Sequence, residues 1–335
     1  MKFRVLIALV ALALIAAACG GDTISAPTVS GDTDESSESD EAMEDEESDE
    51  AMEDDAMEDE ESDEAMEDDA MEDEEAEEMR IVSLSPTATE MLFAVGAGDL
   101  VVQADLNSNY PAEVLDIASI STFPLNLEEV AGFEPTLVLS SSPIDGIDAL
   151  GIENMVLPAA TSFDDIYSQI EQVGAATGYI GDAAEVVANM QADVEAVLAV
   201  SADREGSLTY YHELDPTLFS VTSSTFIGQV YTMLGLENVA DAADADGAAG
   251  GFPQLNEEFL VTADPDIIFL ADTKCCEQNA ETVAARPGWD QLSAVLNGNI
   301  VELNDDIASR WSPRLVEFMQ VVSESVDSLE AVAAN

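Results

Sequence analysis

Residues 48–61 (SDEAMEDDAMEDEE) recur without change as residues 62–75, and a shorter copy, SDEAMEDEE, begins at Ser39. The only apolar side chains in this repeat are Ala and Met, too little surface to offset the entropy of ordering, and blocks of like charge repel one another. The repeat therefore confines stable folding to the residues after it. Residues 1–78 hold 31 acids and 2 bases, whereas residues 79–335 hold 41 acids and 6 bases, with Lys274 the only lysine there. The whole chain has 8 Lys plus Arg against 72 Asp plus Glu, a formal charge of -64, which excludes a nucleic-acid binder because nothing neutralises phosphates. The remaining 257 residues are long enough for one sizeable core or two smaller ones.

Lys2 and Arg4 precede an apolar run that ends in Ala16-Ala17-Ala18-Cys19-Gly20. A charged start, a short apolar stretch and small residues at a cleavage site form an export signal, and its length is below the roughly 20 residues of a spanning helix. Small residues directly before a cysteine resemble the bacterial lipoprotein signal, with Ala16 where leucine is common. That resemblance implies acylation of Cys19 and anchoring at the outer face of the cytoplasmic membrane; an ordinary secretory signal is the other reading. Residues 20–78 are then expected to be an extended tether, reaching at most about 200 Å.

From residue 79 apolar runs read as buried strands at 81–84, 101–104, 137–139, 155–157, 208–211, 267–270 and 300–303, alternating with helical stretches. That alternation predicts an α/β protein with parallel sheets. Residues 182–201 stand apart: Ala183, Val187, Met190, Val194 and Val197 form a single apolar stripe on a long helix placed midway. It reads as a connector (181–203) between two lobes (79–180 and 204–335). A last amphipathic helix comes after Pro313.

RIVSLSPTATE at 80–90, GAGD at 96–99, Tyr110-Pro111, NLEEVAGFEPTLVL at 126–139, FPQLNEEFL at 252–260, DPDII at 264–268 and SPR at 312–314 appear in order. Together they resemble the substrate-binding proteins of ABC importers for cobalamin, ferric siderophores and haem. The resemblance implies two Rossmann-like α/β lobes joined by one long helix, a ligand cleft between them, no intrinsic cofactor, a cobalt or iron chelate as ligand, a permease and its ATPase as partners, and a monomer. It further implies docking on permease arginines through one glutamate per lobe, matched here by Glu128 and Glu258. Such carboxylates suit bidentate arginine recognition, and also suit helix N-termini in general.

Open α/β sheets bind ligands beyond the carboxyl ends of their strands. The candidates there are Ser85, Pro86 and Thr87, Tyr110, Ser140 to Ser142, His212 and Glu213, Asp272 to Cys276, and Arg310 with Trp311. Tyr110, Phe123 and Phe252 match positions where similar cobalamin-binding proteins present aromatic rings, which suit a flat macrocycle. His212, the only histidine, is read as a cleft-rim ligand for cobalt or iron or as a hydrogen-bonded structural residue. For Cys275-Cys276 a strained disulfide, free thiols and metal ligation stand in that order. An enzyme is the rival class. Gly96-Ala-Gly98 lacks the third glycine of a dinucleotide fingerprint, and GxSxG, HExxH and P-loop motifs are absent from the sequence. A cell-surface scaffold or adhesion lipoprotein is the second alternative.

Overall fold

In the computed structural model, residues 78–202 and 208–333 are described; the export signal, Cys19 and the acidic repeat lie outside them. Strands β1 (Ile81–Ser83), β2 (Val101–Asp105), β3 (Ala118–Ile120), β4 (Leu137–Ser140) and β5 (Glu153–Val156) form one sheet in the order β3-β2-β1-β4-β5. Strands β6 (Leu208–Glu213), β7 (Leu236–Asn238), β8 (Ile267–Leu270) and β9 (Ile300–Glu302) form a second in the order β7-β6-β8-β9. Every pairing is parallel. The central strands β1, β4 and β8 are buried along their whole length, which is why they read as continuous apolar runs. The sequence pattern misses β3 and β7: each is a three-residue edge strand with one buried side chain, Ile120 or Leu236, so no run is there to see.

Helices α1 (Pro86–Ala94), α2 (Leu127–Ala131) and α3 (Phe163–Thr177) accompany the first sheet. Helix α1 opens on Ser85, whose side chain accepts from the Ala88 amide, with proline in the first turn. Helix α4 (Ile180–Ser201) connects the sheets and buries the expected stripe of Ala183, Val187, Met190, Val194 and Val197. It packs on α3 and on α11 (Leu315–Ala333). Each fully buried Val or Met in that stripe contributes about 1.5–3 kcal/mol. One hydrophobic cluster runs from Ile81 and Leu139 through Met190 to Tyr210, Phe269 and Phe318, so the core continues through the connector. The close approach of α3 to α4 requires glycine at 174 within α3: a Cβ there would lie 2.3 Å from the Ala183 Cβ.

The second lobe also contains α5 (Phe226–Met233), α6 (Glu257–Ala263), α7 (Thr273–Cys276), α8 (Ala280–Ala284), α9 (Ser293–Asn297) and α10 (Asp305–Ser309). Under its outer face a polar cluster is sealed. Arg286 holds Glu213 through two 2.6 Å hydrogen bonds and stacks on the Trp289 ring at 4.6 Å. Tyr211 donates to Glu213, and Gln278 accepts from Arg286. Both carboxylate oxygens of the adjacent, buried Asp272 lack a hydrogen-bond partner. Burial, and then the charge of Glu213, push the Asp272 carboxyl up to about 7.

Asp272 consequently takes up a proton on folding between about pH 4 and pH 7. A carboxyl raised in this way is neutral in the folded state below its folded pKa, and its charge penalises folding as pH rises through 7. Asp272→Asn is expected to stabilise the protein more at pH 8 than at pH 5, read as the difference in Tm from wild type at each pH. An identical difference at both would show that Asp272 does not titrate in this window.

Candidate functional site

Strand order reverses between β1 and β4 in the first sheet and between β6 and β8 in the second, and open α/β sheets in general bind ligands at the loops after such strands. Around them the two lobes meet in two different ways, one ionic and one aromatic.

The ionic contact centres on Glu90 of α1, which is 3 % exposed. It accepts from Arg310 at 2.7 Å, from Ser312 at 2.5 Å and from Arg314 at 3.3 Å, all from the second lobe. Arg310 also donates to Asn109, to the Asn107 carbonyl and to Asp306. Asp306 in turn takes the Asn109 amide and the Lys274 ammonium. Arg314 lies 3.9 Å over the Tyr110 ring. A buried carboxylate persists only when paired, and Arg310 and Arg314 supply the pairing from about 220 residues away in sequence.

The aromatic contact is a pocket of about 280 Å³ whose walls come from both lobes. Ala159, Ala160 and Thr161, which come after β5, form one wall; Ser224, Phe226, Gln229, Phe252 and Trp311 supply much of the other. Trp311 packs on Phe226 at 5.0 Å between centroids, and Phe226 meets Phe163 of α3 edge-on at 5.3 Å. Rings from both lobes thus form one continuous aromatic cluster. The lining carries hydroxyl and amide groups and no charged side chain.

The expected residues distribute unevenly. Trp311 and Phe252 line the aromatic pocket, and Phe252 is 48 % exposed. Tyr110 is half-exposed and lines a neighbouring cavity of about 430 Å³ with Arg314 and Asp193. Pro86 and Thr87 are half-buried at the start of α1, and Ser85 is occupied in capping it. Phe123 is 94 % exposed, at the tip of a loop closed by the Thr122–Leu125 bridge. Glu128 and Glu258 are exposed in the first turns of α2 and α6, each behind an asparagine cap, Asn126 and Asn256.

Three expectations are corrected. His212 does not reach the cleft: it is fully buried, its Nδ1 shares a 2.8 Å hydrogen bond with the Tyr231 hydroxyl, and burial pulls its pKa down to about 3. Arg310 does not present a free guanidinium to a ligand, being 8 % exposed and engaged by Glu90 and Asp306. Cys275 and Cys276 are separate thiols and not a disulfide. They sit in the helical turn α7, whose amides at Thr273, Lys274 and Cys275 donate to Asp305. Sequence reasoning missed Phe226 and the 159–161 wall. Phe226 reads as an ordinary core residue of α5, and its position directly after the hydroxyl run Ser223-Ser224-Thr225 was the available signal.

Arg310→Ala leaves the buried Glu90 with Arg314 as its one remaining cation and is expected to destabilise the protein by about 3 kcal/mol, as when one side of a buried pair is removed. The double variant E90Q/R310M is expected to recover a large part of that loss in urea unfolding. Additive losses would show that the two side chains are not coupled.

Comparison with known proteins agrees with this architecture. The family model for periplasmic binding proteins matches residues 81–307. The substrate-binding lipoprotein YvrC of Bacillus subtilis, an uncharacterized ABC transporter protein, is 31% identical over 259 residues, 74% of this chain and 79% of the relative. A cobalamin-binding protein of Halobacterium salinarum is 29% identical over 253 residues, 72% of this chain and 67% of the relative. Among solved structures, the periplasmic haem-binding protein HutB of Vibrio cholerae superposes with a TM-score of 0.65 at 20% identity, covering 74% of this chain and 99% of that one. The extent of these matches, together with the two parallel sheets and the single connecting helix, places the chain in the periplasmic binding protein family.

Proposed function

We propose that this protein is the extracytoplasmic solute-binding component of an ABC importer, which captures a metal chelate such as cobalamin or a ferric siderophore between its lobes and delivers it to a permease and its ATPase. The observation that carries the reading is the aromatic pocket shared by both lobes, with Trp311, Phe226 and Phe252 presented to whatever enters. At about 280 Å³ it grips one edge of a flat chelate rather than enclosing the whole of it. The names of the relatives support importer service and a chelate ligand. Haem held through His212 is disfavoured, because that ring is sealed in the core.

In this reading Cys19 carries the lipid, residues 20–78 hold a monomeric binding domain away from the membrane, residues 181–203 connect the lobes 79–180 and 204–335, and no reaction is catalysed. Ser85, Pro86, Thr87 and Tyr110 contribute to the cleft from the first lobe. Glu128 and Glu258, exposed on short helices of the two lobes, dock on basic residues of the permease.

Of the two tryptophans, Trp289 is buried in the second lobe and Trp311 lines the pocket, so fluorescence isolates the event. Titration with cyanocobalamin, haemin and several ferric siderophores is expected to quench emission with at least one of them, and W311F is expected to abolish most of that quench. A response to none of them would remove the chelate reading. Charge reversal at Glu128 and Glu258 is expected to abolish uptake by cells while leaving ligand affinity within about twofold; parallel loss of both would place these residues in the binding site instead.

A further inference from the structure

We infer that the cleft selects chelates carrying no net negative charge and rejects polyanionic ones, an inference that rests on the binding function proposed above. Recognition of an anionic chelate at close range needs arginine or lysine side chains free to meet it. Among the described residues every basic side chain already has an acceptor within the protein, and Lys274 alone of the salt-bridged ones is half-exposed. Arg80 donates to the Phe133 and Glu134 carbonyls, at the amino end of the first sheet and so away from the cleft. Arg286 is held by Glu213 inside the second lobe. Arg310 and Arg314 neutralise Glu90, and Lys274 pairs with Asp306. Withdrawing Arg310 toward a ligand would strand Glu90 and Asp306, the first of them buried.

The remaining positive features are weak. The N-terminal ends of α3 and α10 are offset by Asp164, Asp165, Asp305 and Asp306 in their first turns. Those of α1 and α5 carry no acid, but each is capped by its own hydroxyl, Ser85 or Thr225. The pocket offers Thr161, Ser224, Thr225 and Gln229, which exchange hydrogen bonds with amides and carbonyls without balancing a full charge. Around it, residues 79–335 carry 41 acids against 6 bases, so an anion meets repulsion before contact at ionic strengths where screening is incomplete. An apolar aromatic wall with neutral hydrogen-bonding groups fits an uncharged macrocycle fringed with amides, or an uncharged or cationic ferric hydroxamate. A ferric tris-catecholate, with its triple negative charge, does not fit.

The test uses ligands matched in size and differing in charge, with the full mature protein in calorimetric titrations. Cyanocobalamin is compared with its monocarboxylic acid, in which one propionamide is hydrolysed, and an uncharged ferric trihydroxamate with a ferric tris-catecholate. The uncharged member of at least one pair is expected to bind. Its anionic partner is expected to bind more weakly by roughly tenfold or more at low salt, with the gap narrowing at about 1 M NaCl. Gln229→Lys, a change on the exposed pocket wall, is expected to shift preference toward the anionic member. An anionic member that binds as tightly as its neutral partner overturns the charge selection while leaving chelate capture intact. Failure of all four to bind overturns the binding function and the selection with it.

Discussion

Six basic side chains share residues 79–335 with forty-one acids, and where the described ones among them lie governs the structure. A carboxylate withdrawn from water needs a cation or hydrogen-bond donors within reach, or it stays protonated. Glu213 and Glu90 are withdrawn, and Arg286, Arg310 and Arg314 are the cations beside them. Asp272 has no cation of its own, and it is the carboxyl whose pKa rises toward neutrality. The Glu90 pairing does more than neutralise charge. Its carboxylate is on α1 of the first lobe and its arginines lie just before α11 in the second, so the ion pair joins the two lobes.

Hydrophobic burial along α4 complements that junction. The connector is covered on one stripe by side chains from both lobes, and the core passes through it without interruption. A long helix packed in this way resists bending and holds the two lobes in a fixed relation. Selectivity for uncharged ligands follows from the placing of the cations: the lobes meet through them, and the pocket between the lobes is lined by rings, aliphatic side chains, hydroxyls and an amide.

Much of the fold was legible because its signals are local. The α4 stripe Ala183, Val187, Met190, Val194 and Val197 is a period of a single helix, and Ile267–Leu270 is a buried strand with turn residues on either side. Strands β3 and β7 were not legible, since one buried side chain makes no pattern. The candidate site was legible where it depends on position along the chain, as with Trp311 and Phe252, which sit in loops of the second lobe and line the pocket. It was illegible where it depends on which face a strand residue presents or on distant pairing. His212 lies near the end of β6 but points into the core toward Tyr231, and Arg310 meets a glutamate 220 residues away. Neither fact is encoded within any window of sequence.

Two features of the site stand or fall together: a chelate enters between Trp311, Phe252 and the 159–161 wall, and Arg310 stays on Glu90 while it does so. A crystal structure of the protein with cyanocobalamin bound examines both at once. The expected result is the ring's edge against Trp311 and Phe252, its amide groups on the Thr161 and Gln229 side chains, and the Arg310–Glu90 hydrogen bond retained. A chelate seated elsewhere, or Arg310 turned away from Glu90 onto the ligand, would contradict this picture of the cleft.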